Sequence, residues 1–264
     1  MKTSYNLPLS LCEFALRQNL TTELAAYVAV QLGTNGIARR KQINSLISRV
    51  HKLKHSRSRR KTLDKLIELG WVGYNPKTGN HWFRSVKSIT NGLGLKGKII
   101  VMATKKDLMT FKSFTQAAII NNKLRLQQAA ILLGERRKQN PAVKKLDTAL
   151  QDSYTGMGKY KLAEVFGVST TEAVRIKKTA VKSGYLQVGK RYKILARLKN
   201  TDYHLKNQVL ETNPALGKKL FFRRSWRTGE LQLCQQLHDH MSSKMVLRRS
   251  RTGLMGSDRR KEGV

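Results

Sequence analysis

Gly167 separates two short amphipathic segments, and this arrangement constrains the fold around it more tightly than any other feature of the chain. In KYKLAEVFGVSTTEAVRIKKTAVKSGYL, residues 159–186, Leu162, Ala163 and Phe166 recur at helical spacing before the glycine. Ala163 is small, as suits a point where a second helix crosses close by. Gly167 adopts a left-handed conformation at little cost, and Val168 packs under the turn that results. Ser169 or Thr170 can cap the next helix, with Glu172 near its positive end. From Thr170 to Ser183 the apolar residues Ala173, Val174, Ile176, Ala180 and Val181 share one side. Thr171, Arg175, Lys178, Lys182 and part of Lys177 are left for the other.

Gly184 ends that helix, Tyr185 to Val188 reads as a strand, Gly189-Lys190-Arg191 as a turn, and Tyr192 to Leu195 as a second strand. The first part resembles a helix-turn-helix, and with the basic hairpin the whole resembles the winged-helix pattern. In that family the second helix enters the major groove of DNA. The resemblance implies base contacts from Thr171 and Arg175, with Thr170 and Lys177 beside them, phosphate contacts from Lys178 and Lys182, and a wing carrying Lys190 and Arg191. An amphipathic helix and hairpin of some other α+β fold is the alternative.

A similar order appears earlier in the chain. Leu9 to Leu20 and Thr22 to Leu32 read as helices, with Thr21-Thr22-Glu23 as caps for the second. Arg40 to His51 makes a third, with Ile43, Leu46, Ile47 and Val50 on one face. Ser58 to Leu69 makes a fourth, with Leu63, Leu66 and Ile67 inward and Arg59, Arg60, Lys61 and Lys65 outside. Trp71 to Tyr74 and His81 to Arg84 alternate like paired strands around the turn formers of residues 75–80. This too resembles a recognition helix followed by a wing. Arg57, Arg59, Arg60, Lys61 and Lys65 would face the duplex, with Lys77, Arg84 and His81 from the wing. Core packing rather than base stacking is the expected role of Trp71, Trp82 and Phe83.

Charge names the class of partner. Of 264 residues, 52 are Lys or Arg and 16 Asp or Glu, a formal net charge of +36, so self-repulsion opposes folding unless a polyanion is near. The cations are also clustered: residues 1–36 carry two basic and two acidic side chains, whereas 37–65 carry eleven basic and one acidic. Residues 157–199 carry eleven against two, and 217–264 twelve against four. No apolar run approaches the roughly 18 to 20 residues of a membrane span, and no signal-peptide pattern opens the sequence. A cytoplasmic, nucleoid-associated protein without a membrane partner is expected.

Chemistry other than binding finds little support. There is no GxxxxGK[ST] loop, HExxH or nucleophile elbow, and the acidic residues are scattered, so neither catalysis nor a cofactor, metal or small-molecule substrate is expected. Cys12 and Cys234 lie far apart and read as free thiols. The adjacent residues of His238-Asp239-His240 would point in different directions on a helix, and that triplet departs from the His-hydrophobe-His motif of tyrosine-dependent nicking enzymes.

The expected architecture is therefore mainly α with small β-hairpin wings, an α+β chain of two winged helix-turn-helix domains. Residues 1–95 form the first and 141–200 the second. A strand and helical linker occupies 96–140, a basic and aromatic segment 201–247, where Arg223 and Arg224 can track phosphates, and a disordered basic tail 248–264. The apolar residues of 108–138 serve either as linker core or as a homodimer interface. The expected function is sequence-specific binding of double-stranded DNA, in replication initiation or transcriptional control. Paired winged helices resemble, in architecture, the replication initiators of plasmids and other mobile elements and the regulators of phages. An RNA-binding or ribosome-associated protein and a nonspecific nucleoid or packaging protein are the alternatives.

Overall fold

The computed structural model describes residues 3–50, 53–137, 156–189, 192–198, 202–212, 220–225, 227–236, 240–243 and 245–249, with the backbone alone at 131–137, 193, 236, 240 and 249. The fold is α+β, helices joined with small antiparallel sheets. It divides into two units, one of Met1–Arg125, Val174–Leu186 and Ser243–Val264, the other of Leu126–Ala173 and Gln187–Ser242.

The first unit is built around a helix with no exposed side. Strand β1 (Ser4–Pro8) runs into helix α1 (Leu9–Arg17), and helix α2 (Thr21–Gly33) buries every residue from Leu24 to Leu32. A helix apolar all round must be enclosed, and α1, β1, α3 (Arg40–Ile47) and α4 (Ser56–Glu68) pack against it. The expected Thr21-Thr22-Glu23 cap is not used. Asn19 turns the chain in a left-handed conformation, Leu20 is buried at the junction, and its carbonyl accepts the first helical bond, from the Leu24 amide at 2.9 Å. Burial of Leu20, rather than a side-chain cap, sets where α2 begins.

Strands β2 (Ile37–Arg39), β3 (Val72–Asn75) and β4 (Asn80–Phe83) form an antiparallel sheet in the order β2-β4-β3. The register places Val72 opposite Phe83, and Ala38 and Tyr74 opposite His81, on the inner face; Ile37 and Gly73 lie opposite Trp82 on the outer one. Tyr27 of α2 ties helix to sheet. Its hydroxyl donates to the Arg84 carbonyl at 2.8 Å, so the Tyr5 hydroxyl at 3.0 Å and Gln31 Nε2 at 3.3 Å must donate to it. Its ring meets Trp71 and Tyr5 edge-on, and Trp71 and Phe83 are both buried core residues, as expected.

Helix α5 (Val86–Gly92) is capped by the Ser85 hydroxyl, which accepts from the Ser88 amide at 3.1 Å. Strand β5 (Ile99–Thr104), expected within a linker, is instead the middle of a second sheet. It pairs antiparallel with β1 on one side and with β11 (Leu247–Arg249) on the other, and it buries Val101 and Ala103 in alternation. A 3-10 turn (Lys105–Thr110) then leads into α6 (Phe111–Arg137), whose stretch from Phe111 to Leu124 is largely buried. Asn121 Nδ2 donates to the Met245 carbonyl at 2.9 Å and Arg125 to that of Leu247 at 3.3 Å, which holds β11 in place. The expected disordered tail thus begins with a paired strand; residues 250–264 lie outside the described ones.

The second unit contains α7 (Lys159–Phe166), the first turn of α8 (Thr170–Lys182), β6 (Leu186–Gly189) and β7 (Tyr192–Leu198). It also holds α9 (Tyr203–Thr212), β8 (Leu220–Arg224), β9 (Leu231–Gln236) and β10 (His240–Ser243). The hairpin expected of β6 and β7 does not form. Strand β6 pairs with β10, and β7 with β9 in a three-stranded sheet of order β7-β9-β8. An isolated two-stranded ribbon is marginal in water, whereas β9 offers β7 six register pairs and the buried side chains of Leu233 and Cys234. The segment 201–247, expected to be basic and aromatic, supplies β8, β9 and β10.

Candidate nucleic-acid interface

Helix α4 is anchored by Thr62, Leu63 and Leu66, all buried, while Arg57, Arg60, Lys61 and Asp64 are exposed. Arg60 reaches Asp64 at 3.9 Å and Lys65 reaches Glu68 at 3.0 Å, both pairs exposed and therefore weak. Arg57 and Lys61 have no partner among the described residues and project freely. Ile67, expected inward, is exposed at the edge of the anchoring stripe. Arg59 differs from its neighbours. Its guanidinium donates to the carbonyls of Leu53 and Lys54 and holds the connection that enters the helix, so it acts as a clamp rather than as an outward cation.

The β3–β4 hairpin carries Lys77, exposed at a tip where the Lys77 amide donates to Asn75 Oδ1 at 3.0 Å. Arg84 is exposed just past β4, with its backbone bound to Trp71 and Tyr27. His81 faces the core instead of the wing: its ring packs on Tyr74 at 4.8 Å between centroids and its Nδ1 is buried without a hydrogen-bond partner among the described residues. Burial, and then the charge of Arg40, hold its pKa below the usual imidazole value. Trp82 also departs from expectation. It is 47% exposed, on the outer face of the sheet.

Between Glu23 and Asp107 the chain has eighteen basic residues and two acidic ones, Asp64 and Glu68. Arg39, Arg40 and Lys41, exposed where β2 enters α3, belong to this field, although no motif in the sequence singles them out. The run of charge from residue 37 onward was the available signal.

Around Gly167 the local geometry follows the sequence. Gly167 is left-handed at φ +62°, the Val168 amide returns to the Ala163 carbonyl at 3.1 Å, and Ser169 Oγ accepts from the Glu172 amide at 3.2 Å. Thr171, Arg175, Lys178 and Lys182 are exposed, and their spacing puts them in one stripe along α8; Thr170 and Lys177 are half-buried. The division between the two units falls within this helix.

In the first unit, beyond the end of α8, the Tyr185 hydroxyl donates to Asp107 Oδ1 at 2.9 Å and accepts from Thr110 Oγ1 at 2.8 Å. Asp107 Oδ2 takes the Thr104 amide and hydroxyl, both at 2.7 Å. Burial and the adjacent carboxylate push the Tyr185 phenol above its usual range, so it stays a donor.

The remaining expected contacts are dispersed. Arg223 lies half-buried with its guanidinium 4.2 Å from the centre of the Tyr192 ring, and Arg224 donates to the Gly229 carbonyl at 3.3 Å. Lys190, Arg191 and the His238-Asp239 pair lie outside the described residues. Among the described residues no three His, Cys, Asp or Glu side chains are grouped to hold a metal ion, and no helix is long and apolar enough to cross a membrane. Comparison of the chain with known protein families, curated proteins and solved structures finds no match.

Proposed function

We propose that the chain is a sequence-specific binder of double-stranded DNA, with residues 21–84 acting as a winged-helix module. The observation that carries this reading is the connectivity of α2, β2, α3, α4, β3 and β4 with sheet order β2-β4-β3, joined to a helix whose exposed side sets Arg57, Arg60 and Lys61 beside Asp64 and Glu68 and is net positive. Helix α4 would lie in the major groove, with Arg57, Arg60 and Lys61 toward the duplex and Lys77 on the wing. Residues 159–182 would act as a second helix-turn-helix without a wing of its own, Thr171 and Arg175 reading bases while Lys178 and Lys182 meet phosphates. A role in replication initiation or transcriptional control, as in mobile elements, fits a tandem reader of this kind.

The test is selection of bound fragments from random duplex DNA at about 0.2 M salt, where nonspecific phosphate binding is weakened. One recovered motif, with half-sites about a helical turn apart, is the expected result. Recovery of no motif, together with tighter binding to RNA, would overturn the reading.

A further inference from the structure

Trp82 is a large apolar side chain left half in water. Its indole lies across Gly73 of the neighbouring strand: a Cβ added there would stand 2.1 Å from the ring. The glycine therefore makes room for the ring to lie on the sheet, which fixes its orientation while its outer surface stays open. Ile37, directly opposite on β2, is 62% exposed and continues the same apolar surface. Arg39 lies two positions along β2 from Ile37, on the same face, and exposed Arg84 follows Trp82 by two positions. None of the residues in β2, β3 or β4 is acidic.

We infer that the outer face of this sheet is a stacking platform for an unpaired base of single-stranded DNA, with the Trp82 indole under the base and Arg39 and Arg84 meeting the flanking phosphates. Each base offers a π-face to a fixed aromatic ring, and cations beside that ring suit a phosphodiester. A duplex presents no free base face, so the platform engages a different form of DNA from the one assigned to α4. The inference rests on the DNA-binding reading for the origin of that strand, which would come from a duplex opened next to the bound module. Tyr74, also half-exposed, packs against His81 on the opposite face and takes no part.

The experiment compares wild type, Trp82→Ala, Trp82→Phe and Gly73→Ala as full-length chains. Each is titrated with an oligothymidylate of about 12 nucleotides, within the footprint of single-strand platforms, and separately with a mixed-sequence duplex. Trp82→Ala is expected to weaken oligothymidylate binding by roughly 5- to 150-fold, the loss of one stacked base, with duplex affinity unchanged. Trp82→Phe should keep most of the affinity, and Gly73→Ala, which displaces the ring without removing it, should lose it. Quenching of tryptophan emission by the oligonucleotide should vanish in Trp82→Ala. Circular dichroism establishes that each variant is folded, and Gly73→Ala with Trp82→Phe decides the matter if Trp82→Ala is not.

Unchanged oligothymidylate affinity in Trp82→Ala and Gly73→Ala, with duplex binding intact, overturns this inference and leaves the duplex reading standing. A wild type that binds neither form of DNA overturns both. A wild-type dimer that Trp82→Ala converts to monomer, with oligonucleotide affinity unchanged, assigns the face to a second copy of the chain instead.

Discussion

Replacing Arg57 and Lys61 together by alanine separates phosphate binding by α4 from the general cationic character of the chain. Neither side chain has a partner among the described residues and both are exposed, so the double variant should hold its stability to within about 0.5 kcal/mol. If each cation neutralises one phosphate, the slope of log affinity against log salt falls by about 0.9 per contact, or about 1.8 for the pair. The electrostatic loss is then about 60-fold at about 0.1 M salt and about 18-fold at about 0.2 M, converging toward wild type as salt rises. Fluorescence anisotropy with a labelled duplex across that range reads both slope and affinity. Lys96→Ala with Lys98→Ala removes the same charge from two exposed residues outside the module and should leave the slope nearly unchanged. Equal slopes for both double variants would mean that cations act wherever they sit, and the assignment of α4 to the duplex would be wrong.

Arg59→Ala should destabilise the protein by about 1 to 2 kcal/mol through the loss of its carbonyl bonds, with little change in salt slope, seen in thermal melts beside DNA titrations. Arg175→Ala should cost about 1 to 3 kcal/mol on the preferred site and relax specificity there, while Lys178→Ala weakens all sequences alike; identical behaviour in a binding selection would mean that α8 is wrongly oriented. Tyr185→Phe leaves Asp107 Oδ1 without its phenol donor and should lower stability by about 1.5 kcal/mol, the low end for a bond to a half-exposed charged group, measured by chemical denaturation. His81 has a folded pKa below its unfolded value of about 6.5, so its contribution is present above that value and is lost as pH falls below it, because the unfolded chain takes up the proton first. His81→Gln should flatten that part of the stability profile, and an unchanged profile would place the titration elsewhere.

The parts of the fold legible in the sequence are those whose partners are close by along the chain. Helix α4 shows itself in the spacing of Leu63 and Leu66, and the β3–β4 hairpin in two alternating runs around a Pro-Lys-Thr-Gly turn. Strand β5 reads the same whether it links domains or lies mid-sheet, because its partners, β1 and β11, are near opposite ends of the sequence. Adjacent strands usually pair, so β6 and β7 suggested a wing; the competitor for β7 was the alternating run Leu231 to Cys234, which no local pattern connects to it. Among candidate contacts, charge runs located α4 and α8. Arg59 looked like its neighbours because its partners are backbone carbonyls of a connection without regular structure. The inward turn of Trp71 and Phe83 was legible. The outward turn of Trp82 required knowing that His81 is the buried member of the alternation.

A reader of sequence needs its base-contacting side chains held in place, and phosphate contacts from a fixed element supply that register without themselves carrying sequence. A basic tail neutralises phosphates equally well in any register, so it stabilises every complex alike. Arg57 and Lys61 instead stand on a helix fixed by Leu63 and Leu66 against the core around α2, and Arg59 pins the connection that delivers it. Cations set at fixed spacing on a rigid element meet phosphates in few registers, and a helix held in one register can bring its remaining side chains repeatedly to the same base edges. The +36 net charge calls for a polyanion, and on the proposed reading the anchoring of α4 is what would let that polyanion be read rather than merely coated.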